Sequence, residues 1–240
     1  MKGQVMADYR VMSAGDTALV VDFGNRIEQR ISERVVALGQ SLSEQKILGI
    51  SEIVPTIRSL IIYYEPLVAS SGTLQALIDD TMASLPVVES SGRLWQVPVC
   101  YDPELAPDLI YVAEACSMPP AEVVELHSSI KYHVYMLGFL PGLAYLGDLP
   151  DTLALPRRES PRLKVAAGSV GIGGKMTCIY PMETPCGWHL IGQSPAALWA
   201  QNGHADAVLS AGDKVQLQPV SLREFEHLRA NGSTPIPLLS

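Results

Sequence analysis

Apolar positions along this chain change period several times, and each change marks an element. Ala18 to Val21, inside the glycine-bounded stretch GDTALVVDFG (Gly15 to Gly24), is a short apolar run that ends β-branched, the pattern of a strand. From Ile27 the spacing turns helical. Ile27, Ile31, Val35, Leu38 and Leu42 recur three and four apart, which places them on one face of a helix that ends before Gly49. Strands follow around Ser51 to Pro55 and Ser59 to Tyr64. Leu74, Leu77, Ile78, Met82 and Leu85 predict a second helix, with Ser70, Ser71 or Thr73 near its start and Pro86 after its end. Leu94 to Val99 reads as a further strand.

Strand, helix, strand, strand, helix, strand is the split βαβ order of a small ferredoxin-like domain, unless the last strand opens the next domain instead. The polar Glu89-Ser90-Ser91-Gly92 segment predicts a boundary between residues 1–90 and 91–240. Beyond it, Asp108 to Ser117 and Pro119 to Ser129 read as helices, with Ser117 a candidate cap for the second and the prolines in its first turn. After Tyr132 short β-rich pieces (Lys164 to Ala167, Met176 to Tyr180, His189 to Ile191, Lys214 to Pro219) alternate with glycine and proline turns, as in a barrel or sandwich. Ser233 to Ser240 reads as a frayed tail. The fold class is therefore α+β.

Composition narrows the function. With 240 residues, 48% hydrophobic and 18% charged, the chain builds one large or two ordinary folded domains. No apolar run approaches the ~20 residues of a membrane helix, and Met1 to Arg10 lacks a leader-like stretch, so the expectation is a cytoplasmic protein. A net charge of −8 argues against nucleic acid and anionic membranes as partners. Cys100, Cys116, Cys178 and Cys186 form no CxxC and read as buried reduced thiols. No HExxH occurs, and His127 and His133 are six apart, off one helical face, so no metal site is expected.

Three segments hold the candidate chemistry: Gly138 to Pro150, Pro156 to Gly174 and Ile179 to Gly192. Each mixes glycine and proline, the first and third with aromatics as well, too closely for regular structure, which suits either barrel corners or ligand loops with exposed amides. GSVGIGGKMT (Gly168 to Thr177) fails as a phosphate-binding loop. Ser169 stands where its first glycine belongs, Met176 where Ser or Thr should follow the Lys, and Tyr180-Pro181 bars the helix. Arg157, Arg158, Arg162 and Lys164 form a basic knot that either binds a carboxylate or phosphate or pairs with nearby acids. His127, at a helix end, is either a capping cation or an acid–base group. Cys186 is a small buried thiol or a nucleophile without a visible base, and Tyr145 and His189 are pocket or wall residues.

ELHSS (Glu125 to Ser129), YMLGFLPGLAYLGDLP (Tyr135 to Pro150), PRRESPR (Pro156 to Arg162), AGSVGIGG (Ala167 to Gly174) and YPMETPCGWHLIGQSP (Tyr180 to Pro195), in this order, closely resemble the family of 5-oxoprolinase B subunits (allophanate hydrolase subunit 1). That family also includes an inhibitor of a sporulation histidine kinase. The resemblance implies a ferredoxin-like domain followed by a cyclophilin-like β-barrel. It also implies work beside the C and A subunits of 5-oxoprolinase, with ATP and its Mg2+ bound in the complex, to convert 5-oxo-L-proline to L-glutamate. A related urea or allophanate substrate and a histidine kinase as partner are the alternatives it leaves. Carried onto this chain, Arg157, Arg158 and Arg162 would hold a carboxylate or phosphate. Gly138 and Gly142 would offer backbone donors, Tyr145 would wall the pocket, and His127 would orient substrate as the catalytic residue. Cys186, Ala166 and Leu143 depart from the family's usual glycine, proline and phenylalanine.

Overall fold

A computed structural model of the chain describes residues 9–85, 92–200 and 206–238. It divides into two compact units, Met1–Ser91 and Gly92–Ser240. The segment proposed as the boundary lies mostly outside the described residues.

In the first unit β1 (Arg10–Ser13), β2 (Ala18–Asp22), α1 (Gln29–Glu44), β3 (Ile50–Pro55), β4 (Ser59–Tyr64) and α2 (Ser71–Ser84) follow one another. The sheet is antiparallel in the order β1-β2-β4-β3, so β2 and β3, joined through α1, flank β4 as a split βαβ unit. Its core joins Leu19 and Val21 of β2 and Leu60 and Ile62 of β4 to Val35, Leu38 and Leu42 of α1 and Leu74 and Ile78 of α2. The helical spacing read from sequence is this buried face. Ile27 lies before the helix and is 57% exposed. Gly39 lets α1 approach the sheet, since a Cβ there would meet Leu60 Cδ1 at 3.1 Å. Ser70 caps α2 by accepting a hydrogen bond from the Thr73 amide at 3.1 Å. The strand at 94–99 does not complete this sheet. The edge beside β2 is taken instead by β1, a strand with mostly exposed positions that carries no periodic signal.

The second unit contains β5 (Leu94–Cys100), α3 (Leu109–Ala115), α4 (Pro120–Ser129), β6 (Lys131–Leu137), β7 (Ala144–Gly147), β8 (Arg162–Val165), β9 (Ser169–Gly173) and β10 (Met176–Ile179). It continues with β11 (Thr184–Cys186), β12 (His189–Gln193), β13 (Trp199–Ala200), β14 (Asp206–Ala207), β15 (Lys214–Val220), α5 (Leu222–Asn231) and β16 (Ile236–Leu238). Seven strands, β12-β9-β10-β7-β6-β15-β5, close into a barrel through the pairing of Gln193 with Cys100. Alternation sends Val97, Val99, Val134, Ala144, Leu146, Val170, Ile172, Ile179, Ile191, Val215 and Leu217 into its core.

Three local expectations change. Ser117 does not cap α4. It stands just past α3 at φ 55°, where the Ser117 amide donates to Glu114 O and the Met118 amide to Ala113 O, a Schellman ending usually made with glycine. The glycine-rich stretch after Gly168 is not a loop, because β9 and β10 form a hairpin with Gly173 opposite Met176 across a two-residue turn. The tail is partly ordered, since β16 pairs with the start of β5.

Leu38 is fully buried in the first unit's core. Leu38→Ala is expected to lower unfolding free energy by about 2–5 kcal/mol in denaturant melts, and a loss below about 1 kcal/mol would contradict this packing.

Candidate functional site

The three unusual segments meet at one cavity of about 110 Å3, lined by Phe139, Leu143, Tyr145, Arg157, Cys178, Tyr180, Pro185, Cys186, Gly187 and Trp188. Strand register explains the convergence. Tyr145 of β7 pairs with Cys178 of β10, Cys178 with Gly171 of β9, and Gly171 with Leu190 of β12. Their neighbours Ala144, Leu146, Ile172 and Ile179 point into the core, so this row faces outward from the barrel wall. Gly171 in this row and Gly173 on the same face of β9 leave a trough. A Cβ on Gly173 would stand 2.8 Å from the Trp188 ring, and one on Gly171 would stand 3.2 Å from Trp188 Cβ. The indole therefore seats against bare backbone.

Arg157 is the charged member of the lining, with its Cζ 5.8 Å from the Trp188 ring centroid in cation–π range. Tyr145 meets Trp188 edge-on at 6.0 Å between centroids. Burial raises the Tyr145 phenol above its ordinary pKa, as it does the Cys178 thiol beneath, so both stay neutral near pH 7. The Cys186 thiol donates to Tyr180 Oη at 3.1 Å and accepts from the Trp188 amide at 3.2 Å, the bonds of a thiol built into the wall. At the rim Phe139 is 67% exposed and held at φ 69°, costly for a non-glycine residue.

Arg158 and Arg162 stand apart from Arg157. Both are engaged by Asp108, a residue that sequence reasoning passed over. Arg158 Nη1 donates to Asp108 Oδ1 at 3.1 Å, and Arg162 donates through two nitrogens at 2.8 Å each. The Leu190 amide adds a fourth bond at 2.7 Å. Burial by itself raises the Asp108 pKa, but the hydrogen bonds from Arg162 and Leu190 and the two guanidinium charges outweigh it and hold the carboxyl below its usual range. The signal available in sequence was an acid at a helix start, which reads as a cap. Here the side chain turns to the arginines and makes no cap bond.

His127 does not reach the cavity. It is fully buried. Thr177 Oγ1 donates to Gly171 O, so it accepts from His127 Nε2, and the remaining ring nitrogen Nδ1 accepts from Tyr101 Oη at 2.8 Å. Burial depresses the imidazole pKa to about 3. The structure thus places the residue read as catalytic away from the cavity, without solvent contact and neutral through the physiological range. Gly138 and Gly142 shape the β6–β7 turn: the Gly138 amide donates to Leu143 O at 3.1 Å, and a Cβ on Gly142 would crowd Leu198 O at 3.0 Å. His189, its Nε2 3.0 Å from Pro156 O, stacks on Tyr111 at 5.1 Å. Among the described residues no cluster of His, Cys, Asp or Glu is arranged to hold a metal, and no helix is long and apolar enough to cross a membrane.

The buried imidazole makes stability pH-dependent. Below about pH 6.5 the unfolded chain binds a proton at residue 127 that the folded chain refuses until about pH 3, so the folded state loses up to ~1.4 kcal/mol per pH unit. The advantage of the wild type over His127→Gln in chemical denaturation is expected to narrow as pH falls from 7 to 4. A constant difference would contradict the buried neutral assignment.

A profile of the family described as carboxyltransferase domain, subdomain C and D, matches residues 9–209. The chain is similar to the 5-oxoprolinase B subunit of Bacillus subtilis (strain 168), 34% identical over 228 residues, 90% of this chain and 95% of that protein. It is similar also to that of Haemophilus influenzae, 41% identical over 177 residues, 74% of this chain and 81% of that one. Among solved structures, TTHA0988 superposes with a TM-score of 0.76 at 31% identity, covering 85% of this chain and 40% of that one. The Kluyveromyces lactis urea carboxylase shares the fold, with a TM-score of 0.77 at 19% identity over 97% of this chain and 24% of its own. Profile and relatives together place this chain in the carboxyltransferase subdomain C and D family, alongside the 5-oxoprolinase B subunits.

Proposed function

We propose that this chain is the B subunit of an ATP-dependent 5-oxoprolinase, which opens 5-oxo-L-proline to L-glutamate beside the C and A subunits in the cytoplasm. On this reading the first unit is a ferredoxin-like domain whose fourth strand comes from the chain's start, and the second is a cyclophilin-like barrel. The observation that carries the reading is the cavity itself: three segments shared with the family's motifs close around one guanidinium above an aromatic floor.

The substrate is a small planar lactam with one carboxylate. Arg157 supplies a two-pronged cation for that carboxylate, and Trp188 and Tyr145 supply ring faces against the lactam. Phe139 at the rim excludes water from one side and leaves the rest for a partner to close. This cavity and the glycine-rich stretch do not fit a nucleotide. The cavity is well under the roughly 300 Å3 at which pockets for larger ligands begin, and the glycine-rich stretch spends its amides on a strand ladder. ATP with its Mg2+ is accordingly assigned to the partner subunits.

In the co-purified complex, Arg157→Gln is expected to raise KM for 5-oxoproline about tenfold or more, the loss of a hydrogen bond to a charged group, while KM for ATP stays as in the wild type. An unchanged KM for 5-oxoproline would overturn the assignment of this cavity.

A further inference from the structure

Three guanidiniums lie within six positions of the chain beside a cavity that presents one of them. Arg157 lines it, whereas Arg158 and Arg162 turn to Asp108, whose own exposure is 5%. We propose that Asp108 is a specificity-determining positioning residue: by engaging Arg158 and Arg162 it leaves Arg157 to face the ligand alone, so that the site takes a small monocarboxylate and turns away polyanions. The inference rests on the reading that Arg157 holds the substrate's carboxylate.

A carboxylate has room for about four donors, and Asp108 has four: one from Arg158, two from Arg162 and one from the Leu190 amide. Its capacity is filled. Both arginines are anchored next to the cavity wall by backbone as well. The Arg158 amide donates to Gly187 O at 2.8 Å, and Arg162 of β8 stands opposite Cys186 of β11. Gly187 and Cys186 line the cavity. Guanidiniums released from Asp108 would therefore still border it, and the local charge would rise from one cation to three, the arrangement that suits phosphates. The same carboxylate fixes the 156–162 strap to β12, which sets the height of Arg157 over Trp188.

The test compares Asp108→Asn with the wild type in the assembled complex, at saturating ATP, with 5-oxoproline as the varied substrate and inorganic pyrophosphate as the probe. Asp108→Asn is expected to raise KM for 5-oxoproline roughly tenfold with kcat within about twofold, and to make pyrophosphate competitive against 5-oxoproline where it does not compete in the wild type. A merely structural role for Asp108 would not move this choice between anions. Arg162→Lys keeps the charge but loses the fork, and is expected to move both quantities in the same direction by less. Should Asp108→Asn fail to assemble, Arg162→Lys decides. Unchanged KM with no competition by pyrophosphate in the assembled variants, or a fall in kcat alone, would overturn the proposal. If Arg157→Gln raises KM while these variants do not, this inference alone fails; if Arg157→Gln has no effect, the reading beneath it fails.

Discussion

One buried carboxylate joins parts of the second unit that lie far apart in sequence. Asp108, at the start of α3, reaches across 50 residues to Arg158, 54 to Arg162 and 82 to the Leu190 amide. A charge taken out of water is tolerable only when its hydrogen bonds are complete, and deleting one member of such a buried set typically costs about 3–5 kcal/mol. That cost ties the strap carrying Arg157 to the strand that follows Trp188. Without it the strap carrying Arg157 would rest chiefly on backbone contacts, among them the Arg158 amide bond to Gly187 O and the pairing of β8 with β11.

The second determinant is an absence of side chains. Gly171 and Gly173 stand on the outward face of β9, where larger residues would occupy the space of Trp188. The indole settles over bare backbone, Tyr145 and Cys178 flank it from the neighbouring strands, and the barrel wall gains a small apolar basin under Arg157. Behind that wall, Tyr101, His127 and Thr177 form a closed chain of hydrogen bonds that ends on Gly171 O and braces the strand beneath the basin.

Much of this was legible in the sequence, and the failures have physical causes. The period of α1 from Ile31 to Leu42 and the proline start of α4 reported local preferences that packing retained. The segments that form the cavity were recognisable because their glycines, prolines and aromatics fit no single period. What those residues do was less visible. Gly171 and Gly173 look like loop residues until the partner strand brings an indole over them. His127 looks like a helix-end cation until burial removes its charge. Arg158 and Arg162 look equivalent to Arg157 until Asp108, invisible as a partner at that sequence distance, separates them. The edge strands β1 and β16 carry too few buried positions for alternation to show.

The central claim is that a monocarboxylate ring binds between Arg157 and Trp188. Of the three tryptophans, Trp95 donates its indole N–H to Asp213 and Trp199 does not line the cavity. Titrating 5-oxoproline into the 15N-indole-labelled complex of this chain with its partner subunits should therefore shift the Trp188 resonance saturably and leave Trp95 in place. A saturable response at another indole, or turnover with no change at Trp188, would contradict the account.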